Sequence, residues 1–186
     1  HTMRTSKNIH PRAGSWAGSS SHGWAGGPRS AGFDWVRRDT EHSPNGLPMV
    51  QNQLGALLGG HTEPIVRPAW NDMVLIKRYL DVGARTLLIP YVQNAEEAQR
   101  AVTATRYPPQ GMRGVSGCTR ANRYGRIVDY FERVHDGICV LVQGETQVAI
   151  SNITAIENVA GGAGVFVSPN ERGGGRGHLG QWGQTG

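Results

Sequence analysis

Cysteine is scarce in this chain, with two in 186 residues, Cys118 and Cys139. They lack the paired spacing of a zinc site, and two cysteines make no disulfide scaffold. The expectation is a reduced, cytoplasmic chain. Long apolar runs are missing as well. No stretch reaches the roughly 20 residues that span a bilayer, and none reads as a signal peptide, so no membrane partner is expected. Charge of one sign never comes in blocks. The net charge of +5 is spread over scattered arginines, which is weak evidence for nucleic acid. Phosphate-loop signatures fail too: there is no GxxxxGK[ST], and no GxGxxG follows a strand. The apolar fraction of 38% is low, but the length suffices for one domain with a core.

What the chain has in excess is glycine, 27 residues, with the surplus before Gly32 and after Gly161. Three zones result. Residues 1–31 form an irregular Gly/Ser-rich segment with one candidate strand near Ser15–Ala17. Residues 32–171 carry regular periodicity, and residues 172–186 are a Gly-rich tail. The tail contains RGGGRG, a single copy without interleaved aromatics, so it is a poor RNA-binding motif.

In the central zone, FDWVRRD reads as a strand in which Arg37 and Arg38 point to opposite faces, so one of them must enter a packed layer. Leu47, Val50, Leu54, Leu57 and Leu58 fall at helical spacing and stop at Gly59-Gly60. PIVRPAW is a strand, and Asn71 or Asp72 caps a helix that turns Ile76, Tyr79 and Leu80 inward. TLLIPYV is an apolar strand of the type buried on both faces. Asn94 and Glu97 suggest a capping box ahead of a stripe of Ala95, Ala98, Ala101 and Val102. A short strand is expected at Gly114–Gly117, a helix over 127–135, the strand ICVLVQGE, a helix from Gln147 to Val159 and a last strand AGVFVSP. Alternation of this kind predicts right-handed βαβ units and a parallel sheet. The count is about six strands plus the doubtful one near the N-terminus, against the eight strands and roughly 250 residues of a (β/α)₈ barrel.

Sites in parallel sheets are built at the C-terminal ends of strands. Three such ends carry chemistry here: DTEHSPN after the first regular strand, RPAWND after the second, and QGET after ICVLV. Glu145 and Glu171, from two strand ends, suit a hard divalent cation; Glu145 is equally readable as a helix N-terminal acid, and Glu171 as a solvated loop acid. Arg67 interrupts an apolar strand and needs an anion, either a ligand carboxylate or an ion pair with Asp39 or Asp81. His42 is the one histidine in a dense polar cluster, and Asp39, three residues earlier, is placed to orient its ring. A lone histidine is also often structural.

Together, FDWVRRDTEHSPN, PIVRPAWND, LLIPYVQNAEEAQRAVTATRYPPQGMRGV, ICVLVQGET and GVFVSP closely resemble the metal-dependent, class II pyruvate aldolases that cleave 4-hydroxy-2-oxoheptanedioate and related 2-oxo-3-deoxy sugar acids. The resemblance runs from about Gly32 to Pro169. It implies a (β/α)₈ TIM-type barrel of the phosphoenolpyruvate/pyruvate superfamily, here with a degraded first strand and no eighth βα unit. It implies a homo-hexamer, a role in the breakdown of aromatic compounds, and a divalent cation (Mg²⁺, Mn²⁺ or Co²⁺) on Glu145 and Glu171. It implies that Arg67 and Gln143 touch the pyruvate moiety, and that Ser168 and Asn170 lie where its carboxylate binds. His42, supported by Asp39 and with Asp81 nearby, would handle the proton of the cleaved carbinol. The expected reaction is retro-aldol cleavage of a 4-hydroxy-2-oxo acid to pyruvate and an aldehyde through a metal-stabilised enolate. No Schiff-base lysine is expected, since Lys77 belongs to a helix. The resemblance departs at Arg37 and Arg38, where apolar residues are expected, at Ser168 for Gly and at Glu171 for Asp. Those departures leave a second expectation, a degenerate relative that acts as a structural or binding protein.

Overall fold

The structure is a computed structural model in which residues 14–17 and 32–167 are described. In order these form β1 (Gly14–Ala17), β2 (Trp35–Asp39), α1 (Leu47–Ala56), β3 (Glu63–Arg67), α2 (Met73–Asp81), β4 (Thr86–Ile89), α3 (Ala95–Thr105) and α4 (Tyr130–Arg133). A 3₁₀ turn at Val134–Gly137, β5 (Cys139–Gly144), α5 (Gln147–Ser151), α6 (Ile153–Glu157) and β6 (Gly164–Val167) follow. The six strands make one sheet in the order of the chain, and every pairing is parallel. Each strand therefore returns through a crossover, as the alternating pattern predicts. Among the described residues no helix is long and apolar enough to cross a membrane.

The helices start where side chains replace the missing backbone acceptors. Asp72 accepts from the N–H groups of Val74 and Leu75 at 2.9 Å each. Asn94 accepts from Glu97 N at 2.9 Å, while the Glu97 carboxylate takes Gln93 N at 2.8 Å. That is the expected box, closed one residue further back. Thr146 caps α5 through Ala149 N. Gly83, at φ +99°, ends α2 in a conformation that glycine adopts without strain.

Successive residues of a strand face opposite sides. One face of the sheet carries Val66, Leu87, Ile89, Val140 and Val142, and these form the core with Val50, Leu54, Ile76, Leu80, Ala101, Val102 and Ile156 of the helices. The other face, by register, carries Arg37, Asp39, Ile65, Arg67, Leu88, Leu141 and Gln143.

Several expectations change. The stretch Gly114–Gly117 contains no strand; two glycines there leave little side chain to hold a pleat, and the preceding loop is anchored instead by Arg113. The helix expected from Gln147 to Val159 is two short helices divided at Asn152, whose side-chain amide donates to the Gln93 carbonyl at 3.0 Å. The helical turn expected over 127–135 is α4 followed by the 3₁₀ turn. The candidate strand near Ser15–Ala17 is present as β1, and a Cβ on Gly14 would collide with the Trp35 ring.

Both arginines of WVRRD are buried, not one. Arg37 lies on the polar face, and its Nη2 reaches Asp39 Oδ2 at 3.4 Å. Arg38 is fully buried on the helix-facing side, and none of its three guanidinium nitrogens has a hydrogen-bond partner among the described residues. Burial pulls its pKa down. An uncompensated buried cation costs several kcal/mol, and replacing such a group by a packed apolar one stabilises by about 1–4 kcal/mol. Arg38→Leu is therefore expected to raise unfolding stability by about 2 kcal/mol, read as a higher urea midpoint at unchanged slope.

Candidate active site

The polar groups gather where the strands end. Asp39, the last residue of β2, pairs in register with Arg67, the last residue of β3, which places their side chains on one face. Arg67 Nε donates to Asp39 Oδ1 at 2.9 Å and Nη2 to Oδ2 at 2.7 Å, a bidentate fork. Thr40 then grips the Arg67 carbonyl twice, through its N–H at 3.1 Å and its hydroxyl at 2.7 Å. The remaining terminal nitrogen of Arg67, Nη1, lies 2.8 Å from Glu41 Oε2 and donates to Gln143 Oε1 at 3.3 Å. Gln143 Nε2 donates to Glu145 Oε1 at 2.6 Å. A continuous chain, Asp39–Arg67–Gln143–Glu145, thus links the ends of β2, β3 and β5, and all four residues are buried.

The turn DTEHSPN folds around Asp39. The N–H groups of Glu41 and His42 donate to Asp39 Oδ1 at 3.0 and 3.4 Å, and Asn45 Nδ2 donates to the Asp39 carbonyl at 2.8 Å. Burial pushes the Asp39 carboxyl up, but the Arg67 hydrogen bonds and charge, the Glu41 N–H and Arg37 outweigh it and hold the carboxyl below the usual range. Glu145 is fixed from behind: the next residue, Thr146, caps α5 and donates to Gln93 Oε1 at 3.1 Å.

The expected relation between Asp39 and His42 is corrected. Asp39 bonds the His42 backbone, and the imidazole projects outward, 64% exposed, with Nε2 3.6 Å from Glu41 Oε2. A turn that brings residue i+3 back to residue i offers its N–H first, and the backbone claims the carboxylate. The expectation that Asp81 lies near His42 is corrected too. Asp81 ends α2, which runs roughly 13 Å back from the strand ends. There it pairs with Arg113 Nη2 at 2.7 Å, while the Arg113 guanidinium stacks 4.5 Å from the Tyr107 ring centroid and pins the loop. Of the two ion-pair partners considered for Arg67, Asp39 is the one found. Lys77 lies along α2, packed near Gly114, away from the strand ends. Ser168, Asn170 and Glu171 lie outside the described residues.

Glu41 is a site residue that the sequence reading passes over. It stands in the same EH pair as His42, and an acid beside a strand-end arginine was the available signal. Among the described residues no group of three or more His, Cys, Asp or Glu side chains is placed to hold a metal ion. Of the two buried carboxylates in that chain of contacts, Asp39 is held in the Arg67 fork, and Glu145 is the hard-oxygen ligand on offer. That fits a cation taking one or two protein carboxylates and completing its shell with ligand oxygens and water.

The HpcH/HpaI aldolase/citrate lyase family matches residues 12–172. The chain is 50% identical over 171 residues to the 4-hydroxy-2-oxo-heptane-1,7-dioate aldolase of Klebsiella pneumoniae, covering 91% of this chain and 64% of that protein. It thus spans less than two thirds of that relative's length. Among solved structures, a HpcH/HpaI aldolase/citrate lyase family protein from Burkholderia cenocepacia superposes with a TM-score of 0.88 at 36% identity, covering 91% of this chain and 68% of that one. The HpcH/HpaI aldolase of Desulfitobacterium hafniense gives 0.83 at 25% identity, over 91% and 66%.

Because the folded pKa of Asp39 is depressed, its contribution to stability is present above the unfolded value of 3.8 and drains away as pH falls through the folded one. Asp39→Asn is expected to cost about 3 kcal/mol at pH 7 by leaving Arg67 undercompensated. Urea melts of parent and variant should converge as the pH is taken from 7 towards 2; a gap that stays constant would contradict the role given to Asp39.

Proposed function

The chain belongs to the HpcH/HpaI aldolase/citrate lyase family, and we propose that it is an aldolase cleaving a 4-hydroxy-2-oxo acid, of the 4-hydroxy-2-oxoheptanedioate type, to pyruvate and an aldehyde. The observation that carries this reading is the buried chain Asp39–Arg67–Gln143–Glu145 at the C-terminal strand ends. The sheet is read as part of a (β/α)₈ barrel, with the aldolase unit over residues 32–171. The homo-hexamer, the cytoplasmic location and the role in aromatic-compound breakdown expected from the resemblance go with this proposal.

In the reaction, a base takes the proton of the C4 hydroxyl, the C3–C4 bond breaks, and the aldehyde leaves. The electron pair of that bond passes to the C2 carbonyl, and protonation at C3 completes pyruvate. Arg67 supplies a fixed positive charge where the enolate oxygen develops, and Asp39 keeps the guanidinium from turning away. Gln143, held between Arg67 and Glu145, presents a positioned amide to the 2-oxo acid. His42, exposed at the rim, would exchange the hydroxyl proton with solvent. Glu145, and Glu171 by the resemblance, would hold a divalent cation, which when bound acts as a Lewis acid on the ketone and carboxylate oxygens. Which of Mg²⁺, Mn²⁺ or Co²⁺ serves is left to the titration.

The second reading, a structural or binding relative without turnover, is favoured by the two arginines buried in β2. One assay separates the two. Pyruvate release from a 4-hydroxy-2-oxo acid should require added divalent metal, stop with EDTA, and fall about 10²–10³-fold in Arg67→Ala. Glu145→Ala should abolish the metal requirement together with the activity. Absence of pyruvate at every metal concentration would sink the aldolase reading.

A further inference from the structure

Two aromatic rings stand beside the strand-end network. Trp70 and Tyr91 stack with centroids 5.4 Å apart and planes 28° from parallel, yet they are 53% and 36% exposed. Rings that pack on each other at a surface bury one side and offer the other to a ligand. Both come from strand-end loops. Trp70 lies three residues beyond Arg67, the last residue of β3, and Tyr91 two residues beyond the end of β4. Both loops are tied to one residue of α3: Asn71 Nδ2 donates to the Glu97 carbonyl at 3.1 Å, and Gln93 N donates to its carboxylate at 2.8 Å. The Tyr91 loop is also tied to the strand that carries the network. Val92 N donates to the Gln143 carbonyl at 2.9 Å, and the hydroxyl of Thr146, next to Glu145, donates to Gln93 Oε1 at 3.1 Å. Tyr91 adjoins these ties with φ +55°, a left-handed conformation that a bulky residue adopts only where its surroundings hold it.

We propose that the Trp70–Tyr91 stack is the specificity wall for the aldehyde half of the substrate, taking the carbon segment beyond C4 of a 4-hydroxy-2-oxo acid. The inference rests on the aldolase reading given above. β4 lies between β3 and β5 in the sheet, so the hydrogen bond from Arg67 to Gln143 passes over its end and the residues after β4 border the site. Arg67 and Gln143, which would take the 2-oxo acid end, are buried, so the carbons beyond C4 must run outward to the rim. Among the described residues that follow strands, the β2 turn brings Glu41 and His42, and aromatic rings come after β3 and β4 alone. A half-exposed stack suits a tail that is apolar next to C4 and wet at its far end. A pair that merely braced its two loops would affect all substrates alike, whatever their tails.

The test compares two substrates that differ only in that tail, 4-hydroxy-2-oxoheptanoate with a propyl group and 4-hydroxy-2-oxopentanoate with a methyl group. Pyruvate release from the full chain is followed with divalent metal present. The parent should favour the longer tail. Trp70→Ala should lower the ratio of the two kcat/KM values about tenfold, the scale of two methylenes leaving an apolar contact. Tyr91→Ala should lower the ratio in the same direction, which guards against misfolding of the first variant. Trp70→Phe and Tyr91→Phe keep a ring and should hold the ratio within about twofold of the parent. Turnover of both substrates by the parent, with the ratio unchanged in both alanine variants, overturns the inference and leaves the aldolase reading standing. An unchanged ratio together with a smaller assembly in sedimentation assigns the stack to contact between copies of the chain and overturns it as well. No pyruvate from either substrate with the parent overturns the aldolase reading and the specificity wall together.

Discussion

The ion pair between Asp39 and Arg67 is the interaction on which the rest of the site depends. Desolvating two charges is expensive, and the attraction between them offsets the cost only with good geometry and further hydrogen bonds. Both conditions are met here by the sheet itself. The two residues are register partners at the ends of adjacent parallel strands, so the backbone ladder sets their separation before any side chain moves. Thr40 locks the next step by bonding the Arg67 carbonyl with both its N–H and its hydroxyl. The Asp39 carboxylate is then saturated by Arg67, two backbone N–H groups and the edge of Arg37. Removing either member leaves the other charge buried without its main partner.

From that pair the site divides into fixed and accessible parts. Gln143 and Glu145 are reached through the third nitrogen of Arg67, and the Thr146 cap keeps them in place from the helix side. His42 comes from the same turn as Asp39 but is exposed, because the turn spends its backbone N–H groups on the acid and leaves the ring outside. The charged groups of the network are thus inside, and the imidazole meets water. The sheet makes the same separation between its faces. One face packs aliphatic side chains against the helices and the other carries the polar network. Arg38 breaks the rule, since the alternation that sends Arg37 and Asp39 to the polar face sends Arg38 among the helices.

Much of this was legible in the sequence where a single local rule decides. ICVLVQGE and TLLIPYV could only be strands, and Asp72 and Asn94 cap helices because short polar side chains ahead of an apolar period have few other uses. The strand-end location of Arg67, Gln143 and Glu145 followed from the βα alternation alone. Reading failed where two groups competed for one partner. Asp39 and His42 are three apart, a spacing that suggests a side-chain pair, yet the backbone took the carboxylate. Asp81 was placed by family resemblance, whereas the direction of α2 carries it to the other end of the sheet. Glu41 was missed because an acid in a turn reads first as a solvated one, and the nearby strand-end arginine was given no weight.

The charge on the network also bears on what the site can accept. Arg67, the natural partner for an anionic ligand, already has Asp39 along its fork and Glu41 at its third nitrogen. An anion approaching this guanidinium must compete with two carboxylates already in contact with it. Repulsion from those two carboxylates disfavours its entry unless further positive charge enters with it. Under the proposed aldolase reading, a divalent cation would supply that charge as well as acting as a Lewis acid. The arginines of β2 differ in their surroundings: Arg37 has Asp39 beside it on the polar face, while Arg38, on the apolar face, has no hydrogen-bond partner among the described residues and costs stability.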